Sequence, residues 1–289
     1  MTSQNPDAET RGQNRASRSS SRLAVRKTYK LYIGGKFPRS ESGRTYPVND
    51  SNVALASRKD LRDAVTAARK AFPGWSGATA YNRGQVVYRI AEMVEARRKE
   101  FRSLGVPGEE VDAAIDRLVW YAGWSDKIAQ VLGGANPVAG PYFNLSAPEP
   151  TGVTGLLAPA DSALLGLVSV IAPAIVTGNT AVVLAAEAHP LVAVTVAEAL
   201  ATSDVPAGVV NILTGRPAET APWLASHADV NALDLAGADP DLARTLETAA
   251  ADTLKRVLRP DTPDWYADPG LRRLKAHLET KTVWHPKGV

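Results

Sequence analysis

The chain of 289 residues contains no cysteine. Its own residues therefore form no disulfide bond, no thiolate metal site and no thiol nucleophile. Histidine is scarce, and the four side chains are far apart, without the spacing of a catalytic metal site. They are His189, His227, His277 and His285. The chain also has no uninterrupted run of about 18 apolar residues, so we expect no membrane-spanning segment.

Hydrophobic residues make up 45% of the chain, which is typical of a globular protein and too high for a disordered one. The length is sufficient for one or two domains with a buried core. Because disulfides are excluded, the composition is compatible with the cytoplasm, and we expect a cytoplasmic location.

Basic charge is concentrated at the N-terminus. Residues 1–30 hold seven basic and two acidic residues, a net +5 against +3 for the whole chain, so residues 31–289 carry −2. The composition of residues 1–28 predicts a disordered basic tail. It is a solvated leader, an electrostatic arm for an acidic partner or nucleic acid, or a targeting signal. No apolar segment follows the charges, which excludes a secretory signal. We expect neither membrane nor nucleic acid as a partner.

Helical patterns fill residues 29–136. A capping box at Ser57 and Asp60 predicts the start of a helix that Pro73 ends. Two further helices are predicted over 82–102 and 109–132. A short strand is predicted over 31–37. Residues 137–150, interrupted by prolines, are predicted to form an extended hairpin or loop.

Strand and helix patterns alternate over residues 151–258. Strands are predicted at 153–159, 180–186, 209–213 and 230–237, each followed by a helix, the last over 240–258. This alternation predicts an α/β fold, a Rossmann-like doubly wound parallel sheet. A proline-rich linker over 259–270 and a short helix with a terminal strand, 271–289, complete the chain. The GxGxxG, Walker, GxSxG and HExxH motifs are absent, and the fold alone does not give a function.

Six segments follow one another between about residues 30 and 258: YKLYIGGKFPRSESGRTYPV, WYAGWSDK, PTGVTGLLAPADSALLG, VTGNTAVVLAAEAHPL, DVPAGVVNILTG and HADVNALDLAGAD. In these segments and their order the chain resembles the NAD(P)-dependent aldehyde dehydrogenase superfamily, and the final TKTVW resembles the family's last strand. This resemblance implies a coenzyme domain of the aldehyde dehydrogenase type with a small β arm for oligomerisation.

The resemblance also shows where this sequence departs from the family's pattern. Asp161 stands where the family has an asparagine that donates to the oxyanion, and an ionised carboxylate cannot donate. Leu184 replaces a lysine that reaches the adenosine ribose or its phosphate. Glu187 is kept. It could accept from a ribose hydroxyl, or it is a solvated or capping carboxylate.

Other family contacts to the cofactor are reduced. Gly215 is kept, whereas Pro217 and Ala221 stand at the next two positions of the glycine pattern. Ala238 replaces a serine that lies near the pyrophosphate. Glu187 and Gly215 therefore remain as weak cofactor-binding candidates. We expect no bound cofactor, with weak binding of NAD(P) as the alternative.

The family's catalytic parts do not follow the last helix. The resemblance implies a general-base glutamate motif and a domain with a nucleophilic cysteine, where this chain has only the linker 259–270 before its final strand. We therefore expect a pseudoenzyme-like member without covalent chemistry. The loss would expose the inner face of the coenzyme domain, and Trp265 and Tyr266 are candidates to cover it.

The resemblance implies that residues 137–150 and the last strand, about 279–286 within the segment 271–289, form the family's oligomerisation arm. We expect this arm to bind a full-length aldehyde dehydrogenase or a second copy of the chain, unless the last strand only completes the chain's own hairpin. The expected interface residues are Tyr142, Phe143, Lys281, Thr282, Val283 and Trp284. The expected function is that of an inactive structural or regulatory subunit. The alternatives are a nucleotide-binding module and an active NAD-dependent oxidoreductase component.

Overall fold

The computed structural model describes residues 25–288 of the chain. The strands are β1 (Thr28–Tyr29), β2 (Thr45–Val48), β3 (Ser51–Ala54), β4 (Gly134–Asn136), β5 (Tyr142–Pro150), β6 (Val153–Leu157), β7 (Thr180–Leu184), β8 (Val210–Leu213), β9 (Ala232–Asp234), β10 (Arg256–Leu258) and β11 (Leu278–Pro286). The helices are α1 (Arg58–Ser76), α2 (Ala80–Ala96), α3 (Arg98–Ser103), α4 (Gly108–Trp124), α5 (Ile128–Leu132), α6 (Leu165–Val176), α7 (Pro190–Leu200), α8 (Pro217–Ser226), α9 (Pro240–Ala251) and α10 (Arg272–Ala276).

A five-stranded parallel sheet lies at the centre, in the order β10-β9-β6-β7-β8. The chain moves outward from β6 to β8 and then returns to place β9 and β10 on the other side of β6. The predicted doubly wound α/β fold is therefore confirmed. Every residue of β6, β7, β8 and β9 is buried, because helices cover both faces of the sheet.

Two apolar clusters make up the core, one on each face of the sheet. Buried side chains of α2, α4, α6 and α7 form the first cluster, which also contains Trp265 and Leu274. The second cluster is formed by α1, α8 and α9. The two clusters hold the strands between layers of helices. Because the strands are parallel, the carboxyl ends of all five lie at one edge of the sheet.

The start of α1 was predicted correctly, but its end was not. The Ser57 hydroxyl accepts from the Asp60 amide at 3.2 Å, and the Asp60 carboxylate accepts from the Ser57 amide at 2.8 Å, which completes the capping box. The helix continues through Pro73 to Ser76. The buried Trp75 explains this extension, because its indole N–H donates to the Ile175 carbonyl at 2.9 Å and holds the last turn on α6.

Several predicted elements have other bounds. The helix predicted over 82–102 is divided into α2 and α3, and that predicted over 109–132 into α4 and α5. The helix predicted over 240–258 ends at Ala251, and Leu254 adopts a left-handed conformation with φ 52°. The chain then turns into β10, a fifth strand that pairs with β9. In place of the strand predicted over 31–37, the structure has isolated bridges, including Tyr32 with Ile212.

A separate three-stranded sheet, in the order β11-β5-β4, forms the arm. Strand β11 pairs antiparallel with β5 along its full length, from Leu278 opposite Pro150 to Pro286 opposite Tyr142. The hairpin begins at Gly134, earlier than the predicted 137, because β4 precedes the prolines.

The predicted tail lies largely outside the described residues, since only 25–28 of it are included and Thr28 already begins β1. No helix among residues 25–288 has the length and apolar character needed to cross a bilayer.

Candidate functional site

The strand order reverses between β6 and β9, and doubly wound sheets bind ligands beside the carboxyl ends of the strands at such a point. Here the loops that follow β6 and β9 are in direct contact. The Gly237 amide donates to the Leu157 carbonyl at 3.0 Å. A Cβ atom on Gly237 would lie 2.1 Å from the Ala158 carbonyl oxygen, so only glycine allows this approach. The crevice is therefore narrow at its base.

The linker 259–270, which we call the strap, crosses this crevice. Its Trp265 is buried, and the indole N–H donates to the Asp161 carboxylate at 3.1 Å. The buried Arg117 of α4 donates to the carbonyls of Trp265 at 2.7 Å and Ala267 at 2.8 Å. Asp161 therefore accepts a bond from within the chain. Of the two residues predicted to cover this face, Trp265 does so, whereas Tyr266 is 56% exposed.

A buried ion pair closes the end of β9. The Arg273 guanidinium donates to the fully buried Asp234 carboxylate at 3.0 Å. Burial raises the pKa of Asp234, and the positive charge of Arg273 opposes that rise. The same guanidinium lies 5.0 Å from the centre of the Trp265 ring and 3.3 Å from Asp261. Arg273 thus joins the end of β9 to the start and the middle of the strap.

The N-terminus of α6 is occupied by a side chain of the protein itself. A Glu110 carboxylate oxygen accepts from the amides of Leu164 at 2.8 Å and Leu165 at 3.1 Å, and from the Ser162 hydroxyl at 3.0 Å. In Rossmann-like sheets the N-terminus of this first helix commonly binds phosphate. Here a buried carboxylate takes that place.

The carboxyl edge near β7 and β8 carries charged side chains that are exposed to solvent. Leu184 ends β7 and is buried, and Glu187 follows in a turn with its side chain 58% exposed. The Arg216 guanidinium lies 3.7 Å from the Glu187 carboxylate and 3.0 Å from Glu219. Between β8 and α8, Gly215 adopts φ 144°, which favours glycine. A carboxylate and a guanidinium are thus accessible at this end of the sheet.

The residues that replace family contacts face the protein core or begin a helix. Pro217 is the first residue of α8. Leu184, Ala221 and Ala238 all belong to the apolar cluster that packs under α1, α8 and α9. These positions present no polar side chain to the edge, whereas Glu187 and Arg216 are accessible there.

The predicted interface residues are on the arm, but they divide between its two faces because side chains alternate along a strand. Tyr142, Thr282 and Trp284 share one face. The rings of Tyr142 and Trp284 meet edge to face with centroids 5.8 Å apart. The Thr282 and Ser146 hydroxyls are 2.8 Å apart. This face is polar except at its aromatic tip.

The opposite face of the arm carries an exposed apolar row beside charged residues. Phe143, Leu145 and Val283 are 57%, 47% and 37% exposed, and Val283 lies directly opposite Leu145 in the register. Lys281 is on the same face and pairs with Glu149 at 3.2 Å. An exposed apolar row on a sheet is a typical surface for docking another chain.

The base of the arm is fixed to the central sheet through His277. Its carbonyl accepts from the Asn179 side chain at 2.7 Å and from the Thr151 amide at 3.3 Å. The ring is fully buried, and both of its nitrogens lack a partner among the described residues. Burial lowers the pKa of His277 to about 3, and the positive charge of Arg273 adds to the effect.

Comparison with known proteins identifies the relatives of this fold. The sequence pattern described as "Aldehyde dehydrogenase family" matches residues 45–259. Aldehyde dehydrogenase, cytosolic 1, of Elephantulus edwardii is 34% identical over 250 residues, which are 79% of this chain and 49% of that relative. The putative aldehyde dehydrogenase DhaS of Bacillus subtilis is 34% identical over 80% of this chain and 50% of that relative. The chain thus spans about half the length of the curated relatives it matches.

A solved structure of the same fold corrects the prediction about the cofactor. The NAD+ complex of aldehyde dehydrogenase from Bacillus cereus superposes with a TM-score of 0.74 at 26% identity, over 80% of this chain and 50% of that chain. Because this fold holds NAD+ in a protein of known structure, the prediction of no cofactor is wrong.

The described residues fit such a dinucleotide unequally. Glu187 and Arg216 beside Gly215 are accessible and suit ribose hydroxyls and a phosphate. At the β6 and β9 end, the side chains of Trp265 and Glu110 occupy the crevice and the helix N-terminus. Sequence reasoning missed Arg216, although it directly follows Gly215 in the predicted loop. It also missed Glu110, whose partner Ser162 is separated by 52 positions.

Proposed function

The chain belongs to the aldehyde dehydrogenase family, and from this premise we propose that it is a non-catalytic subunit. It assembles with a full-length aldehyde dehydrogenase through its arm, strands β4, β5 and β11. The single observation that carries this proposal is the exposed apolar row of Phe143, Leu145 and Val283. A cytoplasmic location, which suits a chain without cysteine, is part of the same proposal.

The edge of the arm supports assembly as well as its face. Within residues 25–288, β11 pairs with β5 on one side only, and eight of its nine residues are exposed. Backbone groups on an unpaired strand edge accept another strand, and the adjacent side chains then select the partner. An arm that presents both an open edge and an exposed apolar row is suited to dock on a second subunit.

The chemistry of the site supports the non-catalytic part of the proposal. Covalent oxidation of an aldehyde requires a nucleophile that accepts the carbonyl carbon, and this chain contains no thiol. An ionised Asp161 accepts hydrogen bonds but cannot donate one to a developing oxyanion. NAD, when bound, supplies hydride acceptance. Glu187, Gly215 and Arg216 would hold its ribose and phosphate groups at the β7 and β8 edge.

Native mass spectrometry tests the assembly. The chain is expressed together with a full-length aldehyde dehydrogenase from its own genome, and the masses of the complexes are measured. We expect hetero-oligomers that contain both chains. The double variant Phe143→Ser, Val283→Ser should reduce their amount at least tenfold because it makes the apolar row polar.

A matched control separates docking from general surface change. Tyr88 is 51% exposed and belongs to α2 rather than to the arm, so Tyr88→Ser should leave the hetero-oligomers intact. A chain that stays monomeric with the full-length partner present would contradict the proposal. Complexes that contain only copies of this chain would show instead that the arm binds itself.

The accessible groups at the β7 and β8 edge favour a second candidate function, a nucleotide-binding module without chemistry. It is preferred if the chain stays monomeric and binds NAD with an affinity that Arg216→Ala lowers. In either case the isolated chain should not oxidise aldehydes in the presence of NAD. Turnover of any aldehyde by the purified chain would refute the non-catalytic assignment.

A further inference from the structure

We propose that the strap, residues 259–270, covers the crevice between β6 and β9, where the strand order reverses, and that a ligand can displace it. A dinucleotide that enters the crevice between β6 and β9 must first displace Trp265. The strap lies at the carboxyl edge of the central sheet, whereas the proposed assembly uses the arm. Either proposal can therefore fail while the other holds.

The position of the strap is the first step. Trp265 contacts Asp161 in the loop after β6, and its ring lies against Arg273, which is paired with Asp234 at the end of β9. The indole therefore bridges the two strand ends between which the sheet reverses its order. A ligand that lies across this point meets the indole before it reaches the backbone of the loops.

The attachment of the strap is the second step. No helix or strand lies between Leu258 and Arg272. The middle of the strap is held by the indole bond to Asp161 and by the two carbonyl bonds from Arg117. Segments with few such bonds open at lower free energy than strands and helices of the core. The strap can therefore leave the crevice while the sheet stays folded.

The third step concerns the polar groups that lose contact with the strap when it leaves the crevice. Asp161 is exposed, so water can solvate its carboxylate once the indole leaves. Arg117 keeps a bond to the Ser169 hydroxyl at 3.0 Å. Arg273 belongs to α10 and stays paired with Asp234. Release of the strap costs the burial of one indole and two hydrogen bonds of the buried Arg117, which a bound ligand must replace.

Mutual exclusion gives a reciprocal coupling between strap and ligand. A dinucleotide is long enough to extend from the β7 and β8 edge into the crevice between β6 and β9, whereas adenosine monophosphate can bind near Glu187 and Arg216 alone. Loss of the indole should therefore increase the affinity for NAD and leave the affinity for adenosine monophosphate unchanged. The ratio of the two affinities reports the strap and does not depend on enzymatic activity.

Calorimetric titration of the full chain with NAD and with adenosine monophosphate tests this. Trp265→Ala should lower the Kd for NAD at least tenfold and change that for adenosine monophosphate less than twofold. Tyr266→Ala is the matched control: the neighbouring aromatic side chain is exposed, and both affinities should equal those of the wild type. An unchanged Kd for NAD, or an equal change for both ligands, would overturn the proposal.

Hydrogen exchange provides a second readout on the wild-type chain. Saturating NAD should increase amide exchange in residues 259–270. Decreased or unchanged exchange there would show that the strap is a wall of the site or lies outside it. If Trp265→Ala does not unfold cooperatively, Asp161→Ala replaces it, because that variant removes only the acceptor of the indole bond. It should shift the NAD Kd in the same direction by a smaller factor, and no shift would count against the cover.

Discussion

The central sheet and the arm use similar strands in opposite relation to water. The five residues of β6 are all buried, whereas eight of the nine residues of β11 are exposed. The central strands read VTGLL and TAVVL, continuous apolar or small sequences typical of a sheet covered on both faces. In β11, LETKTVWHP mixes polar and apolar residues. The first sheet stabilises the fold, and the second presents a surface.

This difference predicts in which sheet a substitution should lower the free energy of unfolding most. Substitutions in the central sheet act on packing and on buried charge, and therefore change the free energy of unfolding. Substitutions on the arm act on groups that water already solvates, so their main effect should be on assembly. The four predictions that follow test this division, beginning with the largest expected effect.

Loss of the buried guanidinium should cost the most stability. Arg273→Ala leaves the fully buried Asp234 carboxylate without its partner, and breaking such a pair costs about 3–5 kcal/mol. Urea unfolding followed by circular dichroism measures the change. Arg244, which pairs with Asp241 on the exposed face of α9, is the control, and Arg244→Ala should stay within about 0.5 kcal/mol.

A double variant identifies the physical cause. Asp234→Asn combined with Arg273→Met removes both charges and keeps side chains of similar volume. It should recover part of the stability lost in Arg273→Ala, because no buried charge is then unpaired. No recovery would show that the stability lost in Arg273→Ala does not come from the unpaired Asp234 charge.

A matched pair of leucine truncations compares the two sheets directly. Leu156 in β6 is fully buried, and Leu156→Ala should cost about 2–5 kcal/mol through lost contacts and a residual cavity. Leu145 in β5 of the arm is 47% exposed, and Leu145→Ala should change stability by less than about 0.5 kcal/mol. Equal losses in the two variants would mean that the arm belongs to the same cooperative core.

The fold could be predicted where the signals are local. The capping box of Ser57 and Asp60 lies within four residues, and the alternation of strands and helices repeats along 151–258. Strand β10 was missed because it is three residues long and follows a helical pattern. What makes it a strand is its pairing with β9 at Val257 opposite Leu233, a contact between distant segments.

The candidate site was predictable only at one end. Glu187 and Gly215 were named through the family resemblance, and they lie shortly after β7 and β8 at the carboxyl edge of the sheet. The indole of Trp265 and the carboxylate of Asp161 are 104 positions apart, and no spacing rule brings them together. The prediction of no cofactor failed because it weighed replaced side chains, whereas the fold is one that holds NAD+ in a solved relative.

The free energy of unfolding should depend on pH through His277, which lies at the junction between the arm and the central sheet. Burial lowers the pKa of His277 from 6.5 to about 3, so the unfolded chain binds one more proton between these values. Stability should therefore fall as pH decreases through this window, by up to about 1.4 kcal/mol per pH unit from this group. His277→Gln should reduce the slope in urea unfolding at several pH values. His285→Gln, on the exposed arm, should keep it.

The smallest effect is expected where a surface ion pair links the two sheets. Arg256 of β10 pairs with Glu279 of β11, and both side chains are about half exposed, at 44% and 49%. Hydrogen bonds from Arg256 lower the pKa of Glu279. The pair therefore stabilises the fold at pH values above the ordinary glutamate pKa, and this stabilisation is lost as the pH falls through the lowered pKa. Glu279→Gln should cost no more than about 1 kcal/mol and less in high salt.

The control for this junction is the pair within the arm, Lys281 with Glu149. Glu149→Gln should leave exchange at the base of β11 unchanged, whereas Glu279→Gln should speed exchange there because the arm loses a tie to β10. A global loss of more than about 1 kcal/mol in Glu279→Gln would contradict the division between the sheets. The arm would then fold as part of the core, although its last strand is exposed to water.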